Sequence, residues 1–519
     1  MEENGLLPVI DRRSLLASGA ALAGSTLVAR AAGRRARLVL HADHVLNELP
    51  ANLNGFSVET AQLSDRAYYE AGNASLVALH RRLSPNGVLR LGGNSSEFCY
   101  WKATPDTQQP EIKPAGIGRA DNTMPQRFTA ITPEAIVNLR GFLDACGWSC
   151  IYGLNFGTRT PERDAEEAEF VAKVLGPRLI WFEIGNEPDL YRTPNNLLRP
   201  AGWDYADYIK EWTAIAQAVA ARVPDARFGG PGATSSPDWI ARFAEDAPRR
   251  ARVAGLSGHY YASGPPQSPQ VNIENLLRPA PVVAERMAVV MTAARKAHLP
   301  FRITEANSCY RGGKPDMSNA LASALWGADY VLKILALGGK GVNFHGGLGK
   351  QIAASVGDKL PGVRNAADEE IARLGTFYSP WAGNRAEGFS ARPLFYGMML
   401  AEQFAGTSMV ATTFDSGAVN AAAYAAKAPD GMRIALINKD AVLDLDADIA
   451  PATNARRASV WRLEGPGLDA TSGVTLGGAE VEHGTARWSP KKVETVAMQA
   501  GRLSIAVPHA SAALLFVET

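Results

Sequence analysis

The 519-residue sequence has little cysteine, almost no net charge and no recognisable phosphate-binding loop. Four cysteines in a chain of this length do not make a disulfide scaffold. The 53 basic and 52 acidic side chains leave a formal charge of +1, which argues against a nucleic-acid-binding protein, since such domains usually carry a clear cationic excess. No internal repeat, low-complexity tract or G-x-x-x-x-G-K-[ST] motif is present, so nothing indicates a bound nucleotide.

The composition that is present describes a large globular protein rich in loops. Apolar residues make up 46% of the chain, and there are 49 glycines and 32 prolines. These proportions exclude collagen, coiled coil and global disorder. The length suits two or three domains, or one large barrel with an appendage.

Residues 1–33 predict a twin-arginine export signal. Arg12-Arg13-Ser14-Leu15-Leu16 opens an apolar run of small residues, and Ala29-Arg30-Ala31 resembles an A-x-A cleavage site. The alternatives are a buried helix or a membrane anchor, although the run is shorter than the ~18 residues that a span requires. We therefore expect a periplasmic or extracellular protein with no membrane attachment after cleavage. Because this route carries folded proteins, Cys146 and Cys150 are expected to be packed thiols, with later oxidation as the alternative.

Short β-like runs alternate with helix-like stretches between residues 50 and 400. Helices are predicted at Tyr205–Val223 and Asn319–Leu337, and another begins at Thr160-Pro161-Glu162. Eight βα units predict an α/β fold, a (β/α)8 TIM barrel, with a doubly wound sheet as the alternative. The eight predicted strands are Leu53–Thr60, Gly87–Gly93, Ser149–Phe156, Leu179–Gly185, Arg227–Ala233, Val253–Tyr261, Phe301–Asn307 and Gly341–Gly347.

After residue 400 the pattern changes to short alternating runs, which predict a C-terminal all-β sandwich domain. Arg37–His41 is a further β-like run, so residues 34–49 and 401–519 are expected to form this domain together. Two long connections, Asn94–Ala130 and Gly347–Ala391, would lie over the catalytic face of the barrel. The predicted strands of the tail are Val410–Phe414, Ala421–Ala425, Met432–Asn438, Ala458–Leu463 and Leu503–Val507.

Two predicted barrel strands end in a glutamate. Strand four delivers Asn186 and Glu187 to its carboxyl end, and strand seven ends in the same manner at Glu305. Either glutamate alone is explained as a cap or a surface ion-pair partner. Ends of strands three positions apart face one another across the mouth of an eight-stranded barrel, however, and paired carboxylates are what cleavage of a glycosidic bond requires.

Six stretches along the predicted barrel carry further motifs. They are Asn54-Gly55-Phe56-Ser57-Val58-Glu59, Leu89-Arg90-Leu91-Gly92-Gly93-Asn94, Trp181 to Pro188, His259-Tyr260-Tyr261, Thr304-Glu305-Ala306-Asn307 and Tyr310-Arg311-Gly312. Asn186-Glu187-Pro188 with Glu305 resembles the retaining glycoside hydrolases of clan A, which are (β/α)8 barrels. The whole set resembles glycoside hydrolase family 79, which contains β-glucuronidases and heparanases, and the predicted sandwich agrees with that family.

The resemblance implies that Glu187 is the general acid/base and Glu305 the nucleophile. Arg90, at the end of strand two, would hold Glu305 ionised, with a purely structural ion pair as the alternative. Asn186 would hydrogen-bond the sugar 2-hydroxyl. Independently of the resemblance, a charge on Glu305 at the ~5–5.5 Å separation of retaining enzymes raises the proton affinity of Glu187 and helps to keep it an acid.

The end of strand six offers three aromatic side chains in a row. Tyr261 or Tyr260 is expected to donate a hydrogen bond to Glu305 and orient it, with packing in the core as the alternative. His259 is interpreted equally well as a packed side chain or as a supporting contact.

Recognition of the sugar depends on a Tyr-x-Gly element that, in the family, receives the glucuronate carboxylate through a phenol hydroxyl and a backbone N–H. Here these groups belong to Tyr310 and Gly312, and Lys314 is close enough in sequence to contribute. Glu59, with help from Asn94, is expected to bind ring hydroxyls distal to the scissile bond.

Together these features predict a retaining exo-β-glucuronidase acting on a glucuronide, with no role assigned to His345. A heparanase-like endo-glucuronidase would call for a basic cleft that the +1 balance does not supply globally. The alternatives are a clan A β-glycosidase for a neutral sugar and a carbohydrate-binding protein that has lost activity. No metal or cofactor is expected, since His41-x-x-His44 lacks the spacing and third ligand of a zinc site. The sequence does not determine the oligomeric state.

Overall fold

The computed structural model describes residues 35–110, 128–157, 161–193, 198–357, 359–451 and 457–518. The predicted export signal and Thr160 of the predicted helix start lie outside these residues. No helix in the described ranges is long and apolar enough to cross a membrane. All four cysteines are buried free thiols, as expected for Cys146 and Cys150.

Eight parallel strands close into a barrel, which confirms the predicted fold, and each begins and ends within two residues of its predicted bounds. The strands of this part of the chain are β1 (Ala36–Glu48), β2 (Asn54–Glu59), β3 (Val88–Gly92), β4 (Cys99–Trp101), β5 (Thr129–Ile131), β6 (Ser149–Leu154), β7 (Leu179–Ile184), β8 (Phe228–Ala233), β9 (Val253–Tyr261), β10 (Phe301–Asn307) and β11 (Val342–Gly346). The order around the barrel is β2-β3-β6-β7-β8-β9-β10-β11, and β11 pairs with β2. Chain order and barrel order therefore agree, as expected for successive βα units.

Helices connect the barrel strands, and amphipathic ones such as α4 present an apolar stripe to the core. In α4, the carboxylate of Asp204 accepts the N–H groups of the first turn in a capping box with Asp207, and the buried stripe includes Trp212 and Ile215. The helices are α1 (Ala74–Leu83), α2 (Pro133–Cys146), α3 (Pro161–Leu175), α4 (Tyr205–Arg222), α5 (Pro237–Asp246), α6 (Ile273–Leu277), α7 (Pro281–Ala297), α8 (Leu321–Ala336), α9 (Gly349–Ser355), α10 (Ala366–Leu374) and α11 (Pro393–Glu402).

The C-terminal strands form a ten-stranded sheet with its own apolar core. The remaining strands are β12 (Trp381–Asn384), β13 (Gly388–Ala391), β14 (Ser408–Asp415), β15 (Ala421–Ala428), β16 (Gly431–Asn438), β17 (Leu445–Ala450), β18 (Arg457–Glu464), β19 (Thr475–Leu476), β20 (Glu494–Ala497), β21 (Leu503–Val507) and β22 (Ser511–Glu518). The order is β19-β18-β22-β16-β15-β14-β1-β17-β21, with β20 beside β18. β1 runs antiparallel to β14 and parallel to β17, so the start of the described chain lies in the C-terminal sheet.

Both long connections are found at the carboxyl ends of the strands. The connection after β3 contains the 3-10 turn Asn94–Phe98 and the short strands β4 and β5. The connection after β11 contains α9, α10 and the β12–β13 hairpin, and α9 packs against the 3-10 turn. These segments therefore bound the space above the barrel mouth.

Candidate active site

Glu187 and Glu305 face one another at the mouth of the barrel. Glu187 follows β7 with a left-handed backbone, φ 51°, and its N–H donates to the carbonyl oxygen of Gly232 at 3.1 Å. Glu305 lies in β10. A carboxylate oxygen of each glutamate and a ring nitrogen of His259 all lie within 4.8 Å of one another. This separation is compatible with the ~5–5.5 Å between the two carboxyl groups of retaining glycosidases.

Arg90 is fully buried beneath the two glutamates and holds three side chains at once. Its Nε donates to Oε2 of Glu183 at 2.7 Å, its Nη1 to Oε2 of Glu305 at 2.7 Å and its Nη2 to Oδ1 of Asn186 at 3.0 Å. Gly92 leaves room for the guanidinium, since a Cβ at that position would lie 2.1 Å from Cζ of Arg90. Arg90, in β3, therefore fixes the positions of the Glu305 carboxylate and the Asn186 amide.

Glu305 is kept ionised by its surroundings. The hydroxyl of Tyr261 donates to Oε1 at 2.7 Å, and Nδ1 of His345 lies 3.5 Å from Oε2. Burial alone would raise the pKa of this carboxyl, but the charges of His345, His259 and Arg90 outweigh it and lower the pKa to about 2. A carboxylate at this position is therefore ready to act as a nucleophile.

Glu187 has the opposite electrostatic balance. Burial raises its pKa, the charge of Glu305 raises it further, and the contact with His259 only partly compensates. Nδ1 of His259 lies 3.1 Å from Oε1 of Glu187. Glu187 therefore favours the protonated form and Glu305 the charged form, as cleavage of a glycoside by an acid and a nucleophile requires.

Asn186 is positioned by the connection after β3. Its side-chain amide donates to Oδ1 of Asn94 at 3.3 Å, and its backbone N–H donates to Oε1 of Glu97 at 2.6 Å. The other oxygen of Glu97 accepts the N–H groups of Phe156, at 3.0 Å, and Gly157. Glu97, which the sequence did not single out, thus ties three strand ends together.

Glu59 and His345 form the far side of the mouth. Oε2 of Glu59 accepts the N–H of Ser95 at 2.8 Å, and Nε2 of His345 lies 3.6 Å from Oε1. Burial alone would lower the pKa of His345, but the nearby carboxylates of Glu305 and Glu59 outweigh burial, so the pKa is raised. His345 therefore lies between two carboxylates that favour its protonated form, a role that its position in the sequence did not reveal.

A cavity of about 470 Å³ opens above these groups, within the range typical of small-ligand sites. The possible ligand atoms of Glu187, His259 and Glu305 are close enough to hold a metal ion. Arg90 and His345 lie beside Glu305, and the charge of Arg90 and of protonated His345 would repel a metal cation there. The residues singled out from the sequence that line this cavity are Glu59, Asn94, Glu187, Tyr261, Glu305, Tyr310 and His345.

Five other expected residues are not among those that line the cavity: Arg90, Asn186, Tyr260, Gly312 and Lys314. The first two contact each other, and Arg90 also holds Glu305. Tyr260 stacks on Tyr330 behind the barrel wall, with ring centroids 4.9 Å apart, because neighbouring residues of a strand point to opposite faces. Nζ of Lys314 donates to the carbonyl oxygen of Val271 at 2.6 Å. Gly312 is buried, and its carbonyl oxygen accepts the N–H of Tyr378 at 3.3 Å.

Comparison with known proteins identifies similar glycoside hydrolases. Residues 422–514 match the glycosyl hydrolase family 79 C-terminal beta domain. The chain is 23% identical over 477 residues to a β-glucuronidase of Aspergillus niger, covering 82% of each chain. It is 25% identical over 318 residues to a β-glucuronidase of Neurospora crassa, covering 54% of this chain and 55% of that protein. These matches support glycoside hydrolase family 79 as the family that the chain resembles.

The chain also matches other glycosidase barrels. Residues 179–346, which include both glutamates, match glycosyl hydrolases family 39. The fold is similar to that of a 4-O-α-L-rhamnosyl-β-D-glucuronidase from Fusarium oxysporum, with a TM-score of 0.70 and 16% identity over 92% of this chain and 99% of that one. The matched domains and the named relatives thus show that the chain is a glycoside hydrolase.

Two arginines in this site were given no role from the sequence. Arg311 and Arg286 both line the cavity. Arg311 is next to the expected Tyr310 and has a left-handed backbone, φ 60°, which non-glycine residues adopt uncommonly. Arg286 lies in α7, where no pattern in the sequence distinguishes it from a solvent-exposed helix residue.

Proposed function

We propose that this glycoside hydrolase is a retaining β-glucuronidase of family 79 that removes terminal β-linked glucuronate from glycosides. The observation that carries the proposal is the contrast between Glu305, held ionised by Arg90, His345 and Tyr261, and Glu187, whose raised pKa favours the protonated form, within 4.8 Å. The names of the two curated relatives, both β-glucuronidases, support the choice of sugar.

In the first step, Glu187 gives its proton to the glycosidic oxygen. The carboxylate of Glu305 bonds to the anomeric carbon as the bond from that carbon to the oxygen breaks, and the leaving group departs as an alcohol. In the second step, the Glu187 carboxylate takes a proton from water, whose oxygen bonds to the anomeric carbon and displaces Glu305. Asn186, oriented by Arg90, donates to the sugar 2-hydroxyl in both transition states.

Tyr310, Arg311 and the backbone N–H of Gly312 are proposed to receive the glucuronate carboxylate, whereas Nζ of Lys314 is bonded to the carbonyl oxygen of Val271. Tyr310 and Arg311 line the cavity on the side of the nucleophile strand, and the ring of Tyr310 packs edge-on against Tyr261, at 6.3 Å between centroids. A guanidinium and a phenol hydroxyl are strong donors to a carboxylate. Glu59 and Asn94 remain the proposed partners of the distal ring hydroxyls.

Exo action is proposed because α9 closes one end of the cavity. Its residues Ile352 and Ser355, with Val356, line the wall near Glu59, and α9 packs against the 3-10 turn Asn94–Phe98. Analysis of products from an acidic oligosaccharide tests this: monosaccharide release supports exo action, whereas internal cleavage would establish the heparanase-like alternative.

Export by a twin-arginine signal remains a proposal that depends on residues 1–33 alone. Arg12-Arg13 and Ala29-Arg30-Ala31 support it. N-terminal sequencing of exported protein is expected to begin after Ala31, and an intact Met1 would contradict it.

The decisive experiment follows hydrolysis of an aryl β-D-glucuronide by proton NMR. Early release of the β-anomer, lost in Glu305→Gln and kept in the exposed Glu285→Gln, is the expected result. Initial α-anomer would mean inversion. Turnover of only a neutral glycoside would support the roles of both glutamates and contradict the proposed carboxylate site.

A further inference from the structure

The cavity has a second wall that the proposed sugar site does not use. It consists of Leu190 and Thr193 after β7, Thr234 and Ser235 after β8, and Arg286 from α7. We refer to these five residues as the leaving-group wall. A general acid must reach the glycosidic oxygen, so the side of Glu187 away from the sugar faces the departing group. Apart from Asn186, which also follows β7, the groups assigned to the sugar come from the ends of β2, β3 and β10.

Hydrogen bonds hold this wall in place. The carboxylate of Asp189 accepts the N–H groups of Thr234, Ser235 and Ser236 at 3.1, 2.8 and 3.0 Å. It also accepts the hydroxyl of Ser235 at 2.7 Å. Four donors converge on one buried carboxylate, so the loop after β8 is fixed to the loop that carries Glu187.

Arg286 supplies the charge of this wall. Its Nη2 donates to the carbonyl oxygen of Thr234, which orients the guanidinium toward the same loop. Among the described residues, no carboxylate forms an ion pair with Arg286, and no other side chain of the leaving-group wall is ionisable. A guanidinium remains charged at all working pH values and has five N–H donors, so several stay available after one bond to a carbonyl.

We propose that Arg286 selects leaving groups that carry an anionic oxygen group, a carboxylate or a sulfate. This inference rests on the proposed function, because it assigns the chemistry of the group that Glu187 releases. The natural substrate is then a glucuronate linked to an acidic unit, such as an acidic oligosaccharide. A charge-assisted hydrogen bond in a partly closed site is expected to favour the anionic leaving group by about tenfold in kcat/KM.

The test compares 3-carboxyphenyl β-D-glucuronide with 3-(methoxycarbonyl)phenyl β-D-glucuronide, whose leaving groups differ by one charge. A third substrate, 3-sulfophenyl β-D-glucuronide, carries a sulfonate in place of a sulfate. Wild-type enzyme is expected to prefer the acid over the ester, and the preference should weaken as ionic strength rises. Arg286→Met should bring the ratio of the two kcat/KM values to about one, and Arg286→Lys should keep part of it. A preference for the sulfonate but not the carboxylate would identify a sulfated leaving group.

Two control variants separate Arg286 from other cations. Arg311→Met is expected to lower kcat/KM for both glucuronides by a common factor and leave the ratio unchanged, because Arg311 is assigned to the sugar. Arg278→Gln, an exposed cation outside this cavity, should change neither value. A ratio that survives Arg286→Met, or that is lost with Arg311 instead, would overturn the proposal.

Calorimetry distinguishes failure of this inference from failure of the proposed function. Binding of 3-hydroxybenzoate and of its methyl ester to wild-type and Arg286→Met protein needs no turnover. Tighter binding of the acid, lost in Arg286→Met, supports the role of Arg286 even if no glucuronide is hydrolysed. Equal binding of acid and ester by the wild-type protein contradicts it.

Discussion

At the scale of single residues, Arg90 is the group on which the arrangement of the site depends most. It is fully buried and donates to Glu183, Glu305 and Asn186. Arg90→Lys keeps the charge but cannot make these bonds with one planar fork, so kcat is expected to fall by about 100-fold. Steady-state kinetics measure this, with the melting temperature as a check on folding. A kcat within threefold of wild type would show that Arg90 is only structural.

The pH dependence of kcat/KM follows from the two glutamates. Protonation of Glu305 ends activity on the acid side, and its pKa of about 2 places that limb at very low pH. Loss of the proton from Glu187 ends activity on the basic side, at a pH above the ordinary carboxyl range because its pKa is raised. Glu187→Gln is expected to remove the basic limb for an activated aryl glucuronide. Persistence of an unchanged basic limb would assign it to another group.

Arg311 and Lys314 offer a matched pair of cations three residues apart. Arg311 lines the cavity, whereas Nζ of Lys314 donates to a carbonyl elsewhere. Arg311→Met is therefore expected to raise KM for a glucuronide about tenfold, through loss of a charge-assisted bond, and Lys314→Met to change it far less. Michaelis constants for both variants decide this, and a larger effect at Lys314 would restore the expectation from sequence.

Residues at strand ends could be predicted from the sequence, and residues on turns and helices could not. Glu187, Glu305 and Arg90 follow from the position of each strand end in an eight-stranded barrel. Tyr260 is adjacent to Tyr261, and alternation along β9 turns it outward, which a pair of tyrosines does not reveal. Arg286 reaches the cavity from α7, and its helical spacing predicts only a solvent-facing residue.

At the scale of elements, the loops after β7 and β8 act as one unit through Asp189. Asp189→Ala removes the acceptor of three N–H groups and a hydroxyl, so the free energy of unfolding is expected to fall by about 2 kcal/mol. Ser235→Ala removes one of these bonds and should cost about 1 kcal/mol. Denaturant unfolding of both variants measures the difference. Equal stability of the two would show that the carboxylate is not the common anchor.

Strand prediction succeeded where apolar runs were short and bounded by turns, as in the eight barrel strands. β22 was not predicted, although it lies between β16 and β18 in the C-terminal sheet. Its sequence, Ser-Ala-Ala-Leu-Leu-Phe-Val-Glu, does not alternate, because seven of its eight residues are buried or partly buried. A strand covered on both faces loses the period of two that identifies half-buried strands.

At the scale of the whole molecule, the barrel and the C-terminal sheet are joined at α8. Asp329 of α8 accepts bonds from the hydroxyl of Tyr424 in β15 and from Nζ of Lys439 just after β16. The side chains of Asp329 and Lys439 are 7% and 6% exposed. An ion pair this deeply buried makes the two parts depend on each other, since loss of one partner leaves an unpaired charge between them.

Asp329→Asn is therefore expected to lower the free energy of unfolding by about 3 kcal/mol, by leaving Lys439 buried without a counter-charge. Burial raises the pKa of Asp329, but Lys439 outweighs it and holds the pKa below its ordinary value. The stabilisation is thus present above the pKa of the unfolded carboxyl and is lost as the pH falls through the folded value, so the difference from wild type should shrink in acid. Denaturant unfolding at several pH values measures this. The control is Arg457→Gln at the exposed pair with Glu518, which should cost less than about 1 kcal/mol. If Asp329→Asn costs no more than this control, the buried pair does not hold the two parts together, and their apolar contacts with α8 do.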